Sequence, residues 1–290
     1  MGRLIQIETV FFMLNFNGKL IHNSEISGNR GLQYGDAVFE TIKVSAGKIL
    51  FWEDHYFRLM ASMRILRMEI PMNFTPEFLE EEIHKTSKGL DENSNAYRIK
   101  IIVWRKEGGK YRPATNEVDY LVMAEALENP FYSLSEDTYV VELYKDHFIN
   151  SGLLSTLKTT NRIINVLGSI YAMENDYDNC FLLNEQKNII EVLNGNIFVV
   201  NGYTIKTPPL SDGCLNGILR KQIIGIINEH PDFTIEEASV SPFELQKADE
   251  LFITNTIVGI QSITNYRKKE YSNTLAKDLL GKLNLKARLS

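Results

Sequence analysis

The sequence predicts a two-part α-and-β protein, an α+β N-terminal small domain followed by a larger α/β domain. Three observations carry that reading. The first third consists of short apolar segments joined by Asn-Gly and Ala-Gly turns, which is hairpin chemistry. The C-terminal half instead alternates strand-like and helix-like segments. A chain of 290 residues, 44% of them apolar, can build a real core and is close to the size at which one core splits in two. We therefore place a small domain at 1–125, a linker at 126–137 and the larger domain at 138–290.

The elements follow in order. Residues 11–16, the turn Asn17-Gly18 and residues 19–21 read as a hairpin with a type I′ turn, because Asn and Gly both tolerate positive φ. Residues 38–44, the turn Ala46-Gly47 and residues 49–52 repeat the pattern. From Asp54 onward Phe57, Met60, Ala61, Ile65 and Leu66 recur at helical spacing, and the run stops before Pro71. Thr75-Pro76-Glu77 supplies an N-cap and an N1 proline for a second helix carrying Phe78, Leu79 and Ile83. Strands are expected at 96–104 and 118–125 around the turn Glu107-Gly108-Gly109. The stretch 126–137, with Pro130 and several acids, is the linker. Beyond it, strands at 138–145, 180–184, 197–200 and 251–254 alternate with helices near 162–174 and 216–229.

Composition narrows the function. With 31 Lys and Arg against 37 Asp and Glu the net charge is −6, so there is no overall basic field for nucleic acid or anionic lipid. The two cysteines, Cys180 and Cys214, match neither a zinc pair nor a redox CxxC and fit a reducing compartment. The apolar run at 10–14 is too short for a signal segment or a membrane span, and Gln6 stands where a myristoylation motif has Ser or Thr. A cytoplasmic protein without a membrane partner is expected. His22, His55, His84, His147 and His230 are scattered, with no HxxxH or HExxH spacing, so no metal site is expected. There is no GxSxG elbow or Walker lysine loop, and Asn194-Gly195-Asn196 lacks the dinucleotide fingerprint.

Three features remain that suit one kind of cofactor, each with an ordinary alternative. The turn Ser211-Asp212-Gly213-Cys214-Leu215-Asn216-Gly217 runs into an amphipathic helix, and backbone N–H groups at such a start either are simply capped or hold a phosphate monoester. Glu191 closes a short strand five residues before Asn196, where a carboxylate either is solvated or keeps a ring nitrogen protonated. Lys158 lies between a Ser- and Gly-containing loop and a helix, where it either is one ordinary lysine among many or, if burial lowers its pKa, can form a Schiff base.

Taken together the motifs resemble a known family. Gln33-Tyr34-Gly35-Asp36-Ala37-Val38-Phe39-Glu40 is similar to its YGDGVFE signature, and His55-Tyr56-Phe57-Arg58-Leu59 to its HxxRL helix. Lys158-x-x-Asn161, Glu191-x4-Asn196-Ile197-Phe198, Thr207-Pro208-Pro209-Leu210, Leu215-Asn216-Gly217-Ile218-x-Arg220 and Ala248-Asp249-Glu250-Leu251-Phe252 follow in the family's order. Seven ordered motifs from about residue 12 to 265 resemble class IV aminotransferases, the fold-type IV pyridoxal 5'-phosphate (PLP) enzymes with a D-amino acid aminotransferase-like fold.

The resemblance implies roles. Lys158 matches the lysine that carries PLP and later shuttles the proton, Glu191 the carboxylate facing the pyridine nitrogen, and Arg58 the phosphate-binding arginine. Asn196 belongs to the same motif as Glu191, and Gly217, Ile218 and Leu219 present the phosphate-binding helix start, with Asn255 and Thr256 completing the cup. Leu219 departs from the family's usual Thr, so one hydroxyl contact to phosphate is lost, at a cost of about 1.5–3 kcal/mol.

Within the family, branched-chain aminotransferases carry KxxxNY, whereas here two residues separate Lys158 from Asn161 and Arg162 follows. D-amino acid aminotransferases carry an R-x-H trap, whereas Arg105-Lys106-Glu107 offers none. Aminodeoxychorismate lyases are more similar, with KxxNR and a GG-basic-Tyr loop matched by Gly108-Gly109-Lys110-Tyr111. That resemblance implies conversion of 4-amino-4-deoxychorismate to 4-aminobenzoate and pyruvate, with Tyr34, Lys100, Lys110 and Tyr111 as substrate binders. Lys110 and Tyr111 are equally readable as an exposed hairpin tip. The alternatives are an aminotransferase acting on branched-chain or D-amino acids with 2-oxoglutarate or pyruvate, and a non-catalytic binding module that has lost the cofactor. Family members are usually homodimers in which each active site borrows a loop from the partner's small domain.

Overall fold

The computed structural model describes residues 13–21, 29–90 and 94–290. The beginning of the first expected hairpin, residues 11 and 12, and His22 lie outside the described residues. The chain divides into two compact units, one of residues 1–49 and 59–130 and one of residues 50–58 and 131–290.

The first unit is a sheet of hairpins. Strands β1 (Met13–Phe16) and β2 (Lys19–Ile21) join through Asn17 and Gly18, both at positive φ (49° and 81°), the type I′ geometry that suits the strand twist. After helix α1 (Arg30–Tyr34), β3 (Ala37–Ser45) turns through Ala46 and Gly47, again both at positive φ, into β4 (Lys48–Ile49). The strand expected at 49–52 ends at Ile49, because Phe51 takes positive φ and Trp52 begins helix α2 (Trp52–Ile65). Helix α3 (Pro76–Leu90) starts where Thr75 and Pro76 place it, with the Thr75 hydroxyl accepting from Phe78 N–H. Strands β5 (Ala96–Arg105) and β6 (Val118–Ala126) complete a six-stranded antiparallel sheet in the order β2-β1-β6-β5-β3-β4.

Alternation along these strands turns Val38, Ile42, Ile99, Ile101, Val103 and Val122 into the core, with Leu79 and Ile83 of α3 also fully buried. At one end of the sheet Asp36 accepts from Arg30 Nε and Arg105 Nε, both at 3.0 Å. Arg105 also donates to the carbonyls of Leu66 and Arg67, and Arg30 to those of Gly108 and Lys110. The aspartate of the Tyr34-Gly35-Asp36 signature therefore organises this unit.

The second unit is layered. A five-stranded sheet has the order β12-β11-β10-β13-β14 and a three-stranded sheet the order β7-β8-β9. In chain order the elements are β7 (Val141–Leu143), α4 (Ile163–Glu174), β8 (Asn179–Leu183), β9 (Ile189–Val192), β10 (Asn196–Asn201), β11 (Thr204–Thr207), α5 (Ile218–Asn228), β12 (Thr234–Glu237), α6 (Pro242–Leu245), β13 (Glu250–Asn255), β14 (Gly259–Ile263), the short hairpin β15 (Asn265–Tyr266) and β16 (Lys269–Glu270), and α7 (Thr274–Leu289). The β11–β12 and β7–β8 pairs are parallel, and β10–β11, β10–β13, β13–β14 and β8–β9 are antiparallel.

Strand periodicity builds the layers. Phe198, Val200 and Phe252 face α5 and α7, with Leu50 and Phe51 in the same cluster, whereas Ile197, Val199, Leu251 and Ile253 face Phe181, Leu183, Ile189 and Val192 of the smaller sheet. Cys180, Leu182 and Ile190 point the other way, toward Ala172 of α4. Burial of Leu50 and Phe51 in this core explains why 50–58 groups with the second unit, whereas the sequence reading places it in the first. The supposed linker is likewise partly packed: Tyr132 is buried, its backbone N–H and C=O bond the Asn284 side chain, and its hydroxyl donates to Thr256 C=O.

Helix α7 lacks a sequence-based counterpart. Buried Glu250 accepts from Leu275 and Ala276 N–H at its start, and Asp249 accepts from Gly202 N–H. No helix among the described residues is long and apolar enough to cross a membrane.

Asp36→Asn should lower stability by about 3 kcal/mol, because it leaves two buried guanidinium groups short of their counter-charge. Equilibrium urea unfolding checks this; an unchanged midpoint would show that Asp36 does not hold this unit together.

Candidate active site

The site grows from a short irregular segment, residues 215–217, between β11 and α5. Leu215 N–H donates to Glu191 Oε2 at 2.8 Å, and Leu215 C=O accepts from Asn196 Nδ2 at 2.9 Å. Asn216 N–H donates to Thr156 C=O at 3.2 Å, and Asn216 C=O accepts from Arg58 Nη1 at 2.7 Å. A segment outside any ladder must find partners for its backbone polar groups elsewhere. Here those partners are Glu191, Asn196, Arg58 and the loop that leads to Lys158.

Gly217 then caps α5 at its N-terminus. Gly217, as N-cap, has no side chain to accept from that helix start, and the first turn carries no acid. A Cβ on Gly217 would lie 2.0 Å from Asn196 Oδ1, so only glycine permits this approach. The Ile218 and Leu219 side chains are buried with Phe198 and Ile223 in the core behind the helix. Leu219, 1% exposed, thus meets the helix start with its backbone alone.

Lys158 sits on an irregular stretch. A 3-10 turn, Leu153–Thr156, is tightened by the Ser155 and Thr156 hydroxyls donating to the carbonyls of Gly152 and Leu153. Leu157 is extended and buried, and half-buried Lys158 follows. Arg162 reaches back to bond the carbonyls of Leu157 and Thr159.

Electrostatics ties these side chains together. Burial drives the Glu191 carboxyl upward from its ordinary pKa, opposed by Arg162, by the Leu215 N–H and by Lys158. Burial lowers Arg162, with Glu191 opposing and Arg58 reinforcing the shift. Three cationic side chains, Lys158, Arg58 and Arg162, therefore share one neighbourhood with one buried carboxylate.

Asn196 pairs with Thr254 across β10 and β13, so Asn255 and Thr256 follow directly beyond this edge. The Asn255 side-chain oxygen accepts from Ile257 and Val258 N–H, which shapes the turn into β14. Thr254 Oγ1 is buried without a hydrogen-bond partner among the described residues. In the first unit, the Tyr34 and Tyr111 rings lie 5.9 Å apart, and Arg30 stacks on Tyr34 while bonding Lys110 C=O at 2.7 Å. Lys100 lies 4.8 Å over the Phe39 ring, and burial followed by repulsion from Arg98 lowers its pKa.

Some contributors escape a side-chain reading. Leu215 and Thr156 act through backbone groups, for which no residue type is a marker. Arg162 is visible only through its spacing from Lys158. The cysteines are poor nucleophiles, since burial pushes both thiols up to about 12. No cluster of three or more potential metal ligands occurs among the described residues.

Comparison with known proteins gives concordant findings. The amino-transferase class IV family model matches residues 37–266. An aminodeoxychorismate lyase from Vibrio harveyi is 26% identical over 265 residues, covering 89% of this chain and 94% of that protein. A D-alanine aminotransferase from Staphylococcus epidermidis is 24% identical over 257 residues, covering 86% of each. The crystal structure of a branched-chain aminotransferase from Thermoproteus uzoniensis with norvaline superposes with a TM-score of 0.81 at 22% identity, over 93% of this chain and 92% of that one. The chain therefore belongs to the class IV aminotransferase family, enzymes that work with pyridoxal phosphate.

Proposed function

We propose that this enzyme is a PLP-dependent lyase that converts 4-amino-4-deoxychorismate to 4-aminobenzoate and pyruvate. The observation that carries the reading is the loop Lys158-Thr159-Thr160-Asn161-Arg162, whose two-residue spacer resembles the lyase motif and lets Arg162 bond the carbonyls of Leu157 and Thr159 on either side of the lysine. Lys100 and Lys110 suit a substrate with two carboxylates, and Tyr34 and Tyr111 are offered as further substrate binders.

The residues present fit the cofactor. The helix start at Gly217, Ile218 and Leu219 offers backbone N–H groups, and Gly217 brings no capping side chain and leaves no room for a Cβ. Arg58 adds positive charge beside that start through its bond to Asn216 C=O, Asn196 fixes the Leu215 carbonyl, and Asn255 and Thr256 follow the residue that pairs with Asn196. When bound, PLP supplies an aldehyde that condenses with primary amines and a cationic ring that accepts electrons.

The chain's own groups do the rest. Buried Glu191 would face the ring nitrogen, where a carboxylate taken out of water gains most from a cationic neighbour and so would favour the protonated ring. Lys158 Nζ is the amine that would hold the cofactor and would be free to act as a base once a substrate amine has replaced it. Nζ then removes the proton from the carbon bearing the amine, the bond to the enolpyruvyl oxygen breaks, and a proton returns to the departing unit, giving pyruvate.

Transamination of an amino acid would use the same base and the same Glu191. The relatives named aminotransferases, which align with most of this chain, favour that second reading.

We also propose a homodimer. Ile163, Val166, Leu167, Ile170 and Met173 form one exposed apolar stripe on α4, with Ile163 66% and Met173 68% exposed, and Leu153 and Leu154 are exposed nearby in the chain. A second copy burying this face accounts for it. The buried free thiols fit a reducing compartment, and we place the enzyme in the cytoplasm.

Three outcomes are expected. Incubation with aminodeoxychorismate gives 4-aminobenzoate, borohydride fixes the cofactor on the peptide carrying Lys158, and Lys158→Ala lowers turnover by about 10²–10⁴-fold. Fast keto-acid-dependent amine exchange without aminobenzoate would establish the aminotransferase instead, and the lack of any trapped cofactor would establish a non-catalytic module. Gly217→Ala should weaken PLP binding about tenfold or more in a fluorescence titration, whereas Gly281→Ala, where a Cβ meets nothing within 4 Å, should leave it unchanged. Ile170→Asp should shift a sedimenting dimer toward monomer; a monomeric wild-type protein would refute the interface.

A further inference from the structure

We propose that Arg162 is a positioning residue that clamps the backbone on both sides of Lys158 and thereby aims Nζ. Its Nη2 donates to Leu157 C=O at 2.6 Å and its Nε to Thr159 C=O at 3.2 Å. Those two carbonyls belong to the residues immediately before and after the lysine. Leu157 stands in a bend and Thr159 in an isolated β-bridge, so the fork adds two bonds to a stretch that no regular helix or strand holds.

The clamp has a fixed base. Arg162 is the N-cap residue of α4, and its C=O accepts from Val166 N–H at 3.0 Å. Asn165 Nδ2 donates to Leu193 C=O at 2.8 Å, and Gly168 packs so closely on Leu193 that a Cβ would lie 2.5 Å from its side chain. The helix is thus pinned beside the β9–β10 turn, and the guanidinium reaches back from a rigid start. The two-residue spacer between Lys158 and Asn161 sets this reach, because Arg162 spans three residues to Thr159 and five to Leu157.

A planar guanidinium bonds two acceptors from two fixed directions, which one ammonium cannot reproduce. The same guanidinium opposes the effect of burial on Glu191, so its charge also reaches that carboxyl. This inference rests on the reading of Lys158 as the cofactor-bearing amine.

The test uses R162M and R162K in the full-length protein. Amide hydrogen exchange of the PLP-free protein should quicken roughly tenfold or more in R162M for the peptide covering 157–161, with the β10 and β13 peptides unchanged. On adding PLP, R162M should bind it with near wild-type affinity but develop the yellow lysine-linked chromophore about tenfold more slowly, and R162K should fall between. Wild-type exchange and wild-type chromophore rate in R162M would overturn the proposal. Should exchange rise across the whole R162M chain, R162K decides: a folded R162K with the wild-type chromophore rate overturns it equally. Borohydride trapping on a peptide other than that of Lys158 in the wild-type enzyme would refute the cofactor assignment, while the exchange comparison still tests the clamp.

Discussion

The hydrogen bond from the Leu215 peptide N–H to the buried Glu191 carboxylate is the contact on which the site depends. It holds an irregular segment against β9, and the next bonds along that segment bring in Asn196, Thr156 and Arg58. The two bonds at Leu215 satisfy part-buried backbone groups, where a missing partner costs about 1–3 kcal/mol apiece. Folding the segment and assembling the site are therefore one event. Helix α5 begins where the segment ends, so its start is aimed by the same bonds.

The layered core explains why these residues share an edge. Glu191 on β9 and Asn196 on β10 stand on either side of a tight turn, and Asn196 pairs with Thr254 at the end of β13. Alternate residues on β10 and β13 fill two different cores, which fixes their register, since a one-residue slip would exchange the faces. Gly195 and Gly217 let the backbones meet: a Cβ at Gly195 would approach Thr254 O to 2.8 Å. Close packing and site geometry thus have the same cause.

Several motif residues serve the fold. Asp36 joins two buried arginines, Glu250 holds the start of α7, and Asp249 holds the turn at Gly202. Leu219, where the family usually has Thr, packs into the core behind the helix start, so its side chain adds to α5 packing in place of a hydroxyl at the site. Residues that mark a family by sequence divide between those that do chemistry and those that keep the chemistry in place.

Local chemistry was legible in the sequence. The turns at Asn17-Gly18 and Ala46-Gly47, the start of α3 at Thr75-Pro76, the strands of the first unit and helices α4 and α5 follow from φ preferences, capping and periodicity, which act within a few residues. The motif order pointed to the family. What the sequence could not specify was how residues far apart in the chain meet: Phe51 leaving its strand to join the core of α5 and α7, Tyr132 packing where a linker was expected, α7 docking on Glu250, and Arg162 folding back over Lys158. Those outcomes depend on which backbone groups and apolar faces remain unsatisfied after the local elements form, and only the assembled structure supplies their partners.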